Sequence, residues 1–403
     1  MKYRELKACI ACGHPNLRPV LDLGAQPLAN SYKTNPDDPE DLFPLAINVC
    51  TDCYHTQLTH QVDPDLIFKD YSYVSGTSKT QLDYFDWFAK FTMEYNAYKG
   101  NKVLDIGCND GSQLNAFKDI ACDTYGIDPA ENLYELSSAR HKVKCGYLDE
   151  SIKSLGKFDI IVCQNAFAHN TDQFGFMNIV KDILKPESFV FITTSQADMI
   201  LNGEFDTIYH EHLSYYTIKS MDALCRRASM HLYDVIRHPI HGNSFIFVIS
   251  PTKDRTHYIS NLINIERLSG LHDILTYKKY EHDAKENALN LREFIRDHDK
   301  NIPLVGLGAP AKGNTLLNYI MCDLNFIIDE SPLKHGKFTP GRGIAIQPMS
   351  YLDNYKDYDK ICFIPLAWNF FDEMKRKVKA VRPDKHDEFV KYFPKLEVSN
   401  ETN

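Results

Sequence analysis

The chain lacks an excess of positive charge. Its 403 residues include 45 Lys and Arg against 54 Asp and Glu, which gives a formal net charge of -9 at pH 7. Nucleic-acid-binding proteins usually carry a basic excess or a basic stripe, so this balance argues against that class. A phosphorylated ligand is still allowed, because a few local cations and a helix N-terminus can hold one.

Long apolar runs are also missing. No segment of the sequence approaches the roughly 20 apolar residues that cross a bilayer. The first residues carry charges without the hydrophobic core of a signal peptide behind them, so we expect a cytoplasmic protein. Hydrophobic content of 43% and charged content of 25% are ordinary for a soluble globular protein. A chain of 403 residues is too long for a single hydrophobic core, so we predict two or three domains.

Some of the cysteines are arranged in closely spaced pairs near the N-terminus. Four of the 11 cysteines form two C-x-x-C pairs, Cys9 with Cys12 and Cys50 with Cys53. Four thiolates at these spacings can surround a tetrahedral zinc ion, and closed all-cysteine sites are structural. The alternatives are redox-active pairs or unligated thiols. We predict a structural zinc site, and we interpret the scattered remaining cysteines as buried thiols of a reducing compartment.

Short apolar strands alternate with helical patterns through the rest of the chain. An aromatic helix is predicted over 71–98. The first α/β series is predicted as strands 102–106, 123–127, 158–163, 189–193 and 245–249, with helices ending at 118 and covering 132–140 and 174–184. One long or two shorter helices over 261–299 precede a second series, with strands 303–306, 324–328 and 360–365 and a helix over 312–319. This alternation indicates parallel, doubly wound sheets.

A glycine-containing turn follows the first strand of the α/β series. The turn reads D-x-G-x-N-D-G over 105–111, and a second strand ends in Asp128, at the spacing expected for an acid that binds ribose hydroxyls. It lacks the G-x-G-x-x-G of dehydrogenases and resembles motif I of class I methyltransferases, and its acidity suits a cationic sulfonium ligand. The predicted residues for binding S-adenosylmethionine are Asp105, Gly107, Asn109, Asp110, Gly111, Asp128, Gln164 and Asn165.

A polar segment, Tyr209-His210-Glu211-His212, stands out in the middle of the chain. A metal site, an acid–base cluster and a polar surface loop are all compatible with it. The segment lacks the spacing of the H-E-x-x-H zinc motif. Acid–base chemistry is physically reasonable, because histidine titrates near neutrality, a carboxylate can orient it, and tyrosine can donate to an oxyanion.

A second glycine loop occupies 305–315. It lacks the Ser or Thr that follows Gly-Lys in a P-loop, so ATP hydrolysis is not expected. Lys312 beside a helix N-terminus would still hold a diphosphate. Asp329 ends the next strand, where an acid would contact ribose, and Lys334, His335 and Lys337 add cations. The alternative is a second Rossmann-like unit without a ligand.

Several separate motifs together resemble the sugar C-methyltransferases that make branched deoxysugars, over about residues 5 to 395. They are the C-x-x-C pairs enclosing LGAQPLAN (23–30), the turn at 105–111, NAFAH (165–169), YHEH (209–212), HGNS (241–244), GAPAKGN (308–314) and DESPLK (329–334).

This resemblance implies an α/β fold of three domains. A zinc-binding domain would cover 1–70, a class I S-adenosylmethionine-binding methyltransferase domain with the aromatic entry helix 71–235, and a Rossmann-like domain that binds a sugar nucleotide 236–403. The implied substrate is a nucleoside-diphosphate keto-deoxysugar, preferably thymidine-linked, methylated on the carbon beside the ketone. We expect a monomer or a small homo-oligomer.

The resemblance also implies roles for individual residues. His212 would be the general base, oriented by Glu211, while Tyr209 and His169 would stabilise the oxyanion. A tyrosine of the first domain falls on Tyr71 or Tyr73. The implied substrate-binding residues are Asn243, Ser244, Gly308, Lys312, Gly313, Asn314, Asp329 and Lys334.

Three positions depart from the family pattern. Asn243 replaces a common glycine, Ile246 a more polar residue and His335 a less bulky one, which puts the substrate in doubt more than the reaction. Two rival functions stay open at this point. One is an O-methyltransferase that acts on a sugar hydroxyl or another small molecule, and the other is a non-catalytic zinc-bearing binding protein.

Overall fold

The computed structural model of the protein describes residues 2–77, 79–170, 172–194, 196–240 and 244–400. The chain divides into two compact units. Unit 1 consists of Met1–Arg18, Asn48–Ala197 and Glu211–Asp273, and unit 2 of Pro19–Ile47, Asp198–His210 and Ile274–Asn403. Neither unit is one continuous segment, and the domain bounds at 70 and 235 stay predictions. Within the described part of the chain, no helix is long and apolar enough to cross a membrane.

Short elements make up the N-terminal region. They are the strands β1 (Tyr3–Glu5), β2 (Leu17–Gln26), β3 (Phe43–Cys50), β4 (Thr56–Leu58) and β5 (His60–Val62), followed by the helix α1 (Asp65–Phe68). In unit 1, β1 pairs antiparallel with β5. The strands β2 and β3 each begin in one unit and end in the other.

The main sheet of unit 1 follows from alternating strands and helices. In chain order the elements are α2 (Lys79–Tyr95), β6 (Lys102–Ile106), α3 (Ser112–Asp119), β7 (Asp123–Asp128), α4 (Tyr134–Ser138), β8 (Lys142–Cys145), β9 (Phe158–Gln164), α5 (Gln173–Ile183) and β10 (Leu184–Thr194). After α6 (Asp198–Asn202) of unit 2 come β11 (Ser214–Tyr215), α7 (Ile218–Arg227), β12 (His231–His238), β13 (Ser244–Ser250) and α8 (His257–Leu268).

The strand order of this sheet is β12-β13-β10-β9-β6-β7-β8. From β10 to β8 the neighbours are parallel, as predicted. The edge differs, because β13 is antiparallel to both β10 and β12. Only residues 239–243 join β12 to β13, and a parallel connection would need a dozen residues or more.

Apolar side chains bury both faces of the sheet. Along β9, Ile160 and Val162 join one buried cluster, while Ile161 and Cys163 join the other. Such alternation places successive side chains on opposite faces, so a central strand is apolar along its whole length. The aromatic helix α2 covers one face, where Phe88 is fully buried.

The start of the aromatic helix was predicted wrongly. The helix begins at Lys79 rather than at residue 71, and only a short 3-10 turn, Ser75–Thr77, precedes it. Side chains of Asn109, Asp110 and Asn132 bind the backbone of 71–76 and keep it out of the α-helix. Aromatic periodicity in the sequence cannot register these distant hydrogen bonds.

Unit 2 holds the second α/β series. Its later elements are α9 (Ile274–Asp297), β14 (Leu304–Leu307), α10 (Ala311–Ile320), β15 (Phe326–Ile328), β16 (Ile346–Gln347), β17 (Cys362–Pro365), α11 (Phe371–Val381), β18 (Glu388–Lys391) and β19 (Glu397–Asn400). The strand order is β16-β15-β14-β17-β18-β19, parallel except for the last pair. The predicted helical region over 261–299 is two helices, α8 and α9, with Gly270 in the left-handed region between them (φ +95°).

Candidate active site

The four paired cysteines of unit 1 form one cluster. Their Sγ atoms all lie within 4.8 Å of one another. Cys9 and Cys53 are 3.6 Å apart, as are Cys12 and Cys50, so each close contact joins one C-x-x-C pair to the other. Four thiols at these separations suit a tetrahedral zinc ion. The nearby His55 is occupied elsewhere, because its ring nitrogens contact the hydroxyls of Ser214 and Ser220 at 3.1 and 3.4 Å.

The first glycine loop connects β6 to α3. Gly107, Asn109 and Gly111 all have positive φ, and the Gly107 N–H donates to the Ile127 carbonyl at 2.8 Å. A Cβ at Gly107 would overlap Ala166, so only glycine fits there. The loop therefore keeps its backbone open at the carboxyl edge of the sheet, where α/β folds bind cofactors.

The carboxylate of Asp128 organises this loop. It accepts hydrogen bonds from the backbone N–H groups of Asn109 and Ala130, both at 2.8 Å. Burial raises the pKa of Asp128, while these two backbone donors lower it. Asp128 thus holds the loop in place, and its predicted contact with ribose stays a prediction.

Asp105 is the most distinctive group of the loop. It is only 2% exposed, and its Oδ1 atom has no hydrogen-bond partner among the described residues. Burial, with a smaller contribution from Asp128, raises the pKa of Asp105 to about 8. A buried, unpaired carboxyl group is stabilised as a carboxylate by a nearby cation. The ammonium group of S-adenosylmethionine provides such a cation, so the donor set fits this cofactor.

The next predicted cofactor residues end strand β9. Gln164 accepts a hydrogen bond from the Tyr84 hydroxyl at 3.1 Å, and its buried Nε2 has no partner in the described part of the chain. Asn165 has a φ of +53° and its backbone N–H donates to the Thr193 carbonyl. Tyr84 was missed from the sequence, since it lies within the aromatic pattern of α2.

Four of the predicted catalytic residues come together in unit 1. The Tyr71 hydroxyl donates to Oε2 of Glu211 at 2.9 Å, and Glu211 is only 5% exposed. The ring of His169 stacks on that of His212, with centroids 5.4 Å apart and planes at 24°. Phe68, which the sequence did not single out, also stacks on His169, with ring centroids 5.3 Å apart.

His169 is poised as a neutral group. Its Nε2 atom is shielded from solvent and has no hydrogen-bond partner among the residues that the structure describes. Burial lowers the pKa of His169 to about 4, so the imidazole is uncharged near neutral pH. A neutral imidazole can donate one N–H to an oxygen of a bound molecule.

The remaining predicted catalytic residues differ in position. Tyr73 is 47% exposed, with its ring 6.4 Å from that of Tyr71. Tyr209 belongs to unit 2, as does His210. His210 is buried with Nε2 3.3 Å from the Phe43 carbonyl, so it has a structural contact of its own.

The second glycine loop, in unit 2, closely resembles the first. The Gly308 N–H donates to the Ile328 carbonyl at 2.7 Å, and Asp329 accepts from the backbone N–H groups of Ala309 and Ser331. The two loops differ at one position that changes their charge. Gly306 stands two residues before the first turn glycine, where the first loop has Asp105. The second loop therefore lacks the acid that suits a cationic ligand.

Two lysines, Lys312 and Lys334, lie beside the second loop. Lys334 Nζ donates to the Ala309 carbonyl at 2.9 Å and lies 3.3 Å from Asp329. Lys312 Nζ donates to Asn369 at 2.7 Å and lies 4.1 Å from the centre of the Trp368 ring. Burial lowers the pKa of Lys312, with Asp206 and Glu204 opposing the shift.

Unit 2 also contains functional candidates that the sequence did not reveal. Asp206 is buried and accepts hydrogen bonds from Trp368 Nε1 and the Tyr392 hydroxyl at 2.8 and 3.0 Å. These partners are 162 and 186 residues away along the chain, so no local pattern could have indicated them. Asp206 itself lies three residues before Tyr209 in the sequence.

The other predicted substrate residues have mixed positions. Asn314 is buried, and its side-chain amide donates to the Ala29 carbonyl at 2.7 Å. The Cβ position of Gly313 is crowded by Leu366. Ser244 begins β13 and its hydroxyl donates to the Ile240 carbonyl, whereas Asn243 lies outside the described residues.

Comparison with known proteins matches three family models to successive parts of the chain. Residues 9–68 match a zinc-binding domain, 78–231 a methyltransferase domain and 239–394 a C-methyltransferase C-terminal domain. The C-methyltransferase NovU of Streptomyces niveus is 28% identical over 391 residues, covering 92% of each chain. These matches support an S-adenosylmethionine-dependent C-methyltransferase as the enzyme class. The predicted fold class, enzyme class and both cofactors, zinc and S-adenosylmethionine, are confirmed.

More distant similarities are confined to part of the chain. The ubiquinone biosynthesis O-methyltransferase of Shewanella halifaxensis is 21% identical, over 43% of this chain and 78% of its own. The structure of magnesium protoporphyrin IX methyltransferase from Synechocystis PCC 6803 with bound S-adenosylmethionine is 12% identical. It covers 43% of this chain and 79% of that one, with a TM-score of 0.33.

Replacing one cluster cysteine is expected to remove the zinc. Cys12→Ser should lower the zinc content well below the one ion per chain expected of the wild type and lower the melting temperature, because a small loop-rich segment depends on its metal. Elemental analysis and thermal unfolding measure both. Cys145→Ser, at an exposed thiol outside the cluster, is the matched control. Full zinc content in Cys12→Ser would disprove the assignment.

The affinity for the cofactor product is expected to depend on Asp105. Its carboxyl group is protonated below its pKa of about 8. Affinity for S-adenosylhomocysteine should therefore fall by up to tenfold per pH unit on going from pH 8 towards pH 6. Calorimetry on Asp105→Asn should show weaker binding without this dependence. The ligand's own amine titrates in both proteins, so their difference isolates Asp105. Asp123→Asn, at a surface ion pair with Lys142, is the control.

Proposed function

We propose that the enzyme methylates the carbon beside the ketone of a nucleoside-diphosphate keto-deoxysugar. The observation that carries this proposal is the cluster of Tyr71, His169, Glu211 and His212 in unit 1. Bound S-adenosylmethionine supplies an electrophilic methyl group. A carbon nucleophile then requires a base that removes a proton next to a carbonyl group, and this cluster contains the groups for that task.

His212 is the proposed general base. Its ring is part-buried against His169, and the buried carboxylate of Glu211 precedes it in the chain. A neighbouring carboxylate favours the imidazolium that forms when the proton is taken up. The Tyr71 hydroxyl fixes one oxygen of that carboxylate, so Glu211 is held in place during the proton transfer.

His169 is the proposed oxyanion donor. It is neutral and its Nε2 atom is unpartnered within the described residues, so a Nε2–H tautomer can donate to the ketone oxygen of the sugar. A donor that is already desolvated stabilises the negative charge of the enolate without reorganisation. Tyr209 is assigned the same role on the family resemblance alone, and Tyr73 is kept as an alternative to Tyr71.

The second glycine loop is the proposed site for the diphosphate. It replaces the acid of the first loop by Gly306, and the first turn of α10 carries Lys312. A helix N-terminus with a lysine attracts phosphate oxygens. Lys334 forms an ion pair with Asp329, whereas Lys312 donates to the neutral amide of Asn369, so Lys312 is the stronger candidate for a direct contact. Thymidine as the base follows only from the resemblance.

Loss of the base should abolish carbon acid chemistry. His212→Ala is expected to lower turnover by about 100-fold or more. The same variant should stop the wash-out of deuterium from the carbon beside the ketone. Mass spectrometry of products from a panel of nucleoside-diphosphate ketosugars measures both, and His257→Ala, at an exposed histidine, is the control.

Two outcomes would contradict this mechanism. His212→Ala with near wild-type turnover would remove its role as base. Methyl transfer by the wild type without loss of the deuterium would point to a sugar hydroxyl as acceptor.

Removing the cation should weaken nucleotide binding. Lys312→Gln is expected to reduce the affinity for thymidine diphosphate by about tenfold, the effect of losing one charge-assisted hydrogen bond. Calorimetry measures the affinity, with Lys300→Gln as an exposed lysine control from the same unit. Unchanged affinity in Lys312→Gln would remove this assignment.

A further inference from the structure

In unit 1, residues 69–76 run from the end of α1 into the 3-10 turn (Ser75–Thr77) before α2. We call this segment the strap. Its first anchor is Asn132, in the 3-10 turn Glu131–Leu133 that follows β7. The Asn132 side chain accepts from the Tyr71 N–H and donates to the Tyr71 carbonyl, both at 3.0 Å. The Glu131 N–H donates to the Lys69 carbonyl at 2.9 Å. The side-chain amide of Asn132 thus hydrogen-bonds both the N–H and the carbonyl group of Tyr71.

Asn109, in the loop after β6, repeats this arrangement further along the strap. Its side chain accepts from the Ser75 N–H and donates to the Tyr73 carbonyl, both at 3.0 Å. Its φ of +50° is in the left-handed region, which asparagine tolerates better than most residues. Both the oxygen and the nitrogen of the Asn109 side chain, a predicted cofactor residue, therefore bind the strap.

Asp110 holds the end of the strap. Its Oδ2 atom accepts from the Gly76 N–H at 3.0 Å and from the Ser112 hydroxyl at 2.9 Å. A Cβ at Gly76 would lie 2.5 Å from each of these two oxygen atoms. The strap therefore fits closely against both loops that border the cofactor crevice.

The strap also shapes the proposed acid–base cluster. The Tyr71 hydroxyl binds Glu211 at 2.9 Å, and the ring of Phe68, just before the strap, stacks on His169. A shift of the Tyr71 backbone would move the hydroxyl off the carboxylate. Displacements of about 1 Å in an active site can cost about 100-fold in rate.

We propose that Asn109 and Asn132 are positioning residues for methyl transfer. By binding the strap to the loops after β6 and β7, they keep the Tyr71 hydroxyl on Glu211, and they link the cofactor loop to the acid–base cluster. The roles of Glu211 and His212 in this statement rest on the proposed function. Neither asparagine needs to contact the substrate.

Asn132→Asp tests this proposal with little change in size. The variant keeps an acceptor for the Tyr71 N–H but places an oxygen against the Tyr71 carbonyl. Asn101→Asp is the matched control, since Asn101 also donates to a backbone carbonyl, that of Ala121, away from the strap. Hydrogen exchange of the strap amides, with and without S-adenosylhomocysteine, and crystal structures of the variants are measured first.

The expected results are specific. Strap amides should exchange about tenfold faster or more in Asn132→Asp and not in Asn101→Asp. The distance between the Tyr71 hydroxyl and Glu211 should exceed hydrogen-bonding range. Turnover should fall by about 100-fold while KM for S-adenosylmethionine changes less than about threefold. The double variant Tyr71→Phe/Asn132→Asp should have about the same turnover as Tyr71→Phe alone, because both substitutions act through the Tyr71 hydroxyl.

Three results would overturn the proposal. They are wild-type exchange in Asn132→Asp, an unchanged Tyr71–Glu211 distance, and independent, multiplicative losses in the double variant. A wild-type protein that methylates none of the ketosugars tested would count against the proposed substrate only. The exchange rates and the crystallographic distance would still decide whether the asparagines hold the strap.

Discussion

A carboxylate that accepts two backbone N–H groups at the end of a strand underlies the architecture of each α/β series. Asp128 binds the loop after β6 in this way, and Asp329 binds the loop after β14. The first of these contacts holds the left-handed backbone of Asn109, which in turn directs its side chain to the strap. The first glycine loop therefore binds the strap, and the backbone of the strap connects this contact to the Tyr71–Glu211 hydrogen bond in unit 1.

The two loops are alike in backbone and opposite in charge. Where the first has Asp105, buried and with a raised pKa, the second has Gly306. Where the second has Lys312 in the first turn of its helix, the first has uncharged residues, since α3 begins Ser-Gln-Leu-Asn. The same strand–turn–helix unit thus suits a cation in one place and an anion in the other, because only a few side chains set the local potential.

The sequence predicted features that depend on local pattern. Strand β6 has the bounds expected for it, and the cysteine pairs meet as their spacing indicates. It failed where distant groups decide the structure. The helix predicted from residue 71 begins only at Lys79, because the side chains of Asn109 and Asn132 bind the backbone of Tyr71, Tyr73 and Ser75. The contact between Asp206 and Trp368 spans 162 residues and has no local signal. The hydrophobic periodicity of a segment indicates that one of its faces is buried, but it does not identify the residues that pack against that face.

The boundary between the units falls in the peptide between His210 and Glu211, in the middle of the polar segment. Unit 2 is also assembled from separate stretches of chain, including 19–47 and 198–210. Grafting residues 274–403 from a relative would consequently exchange only part of unit 2 and leave Tyr209 with the recipient. Modular recombination of this enzyme would have to exchange discontinuous segments together, which restricts how its specificity can be engineered or diversify by crossover.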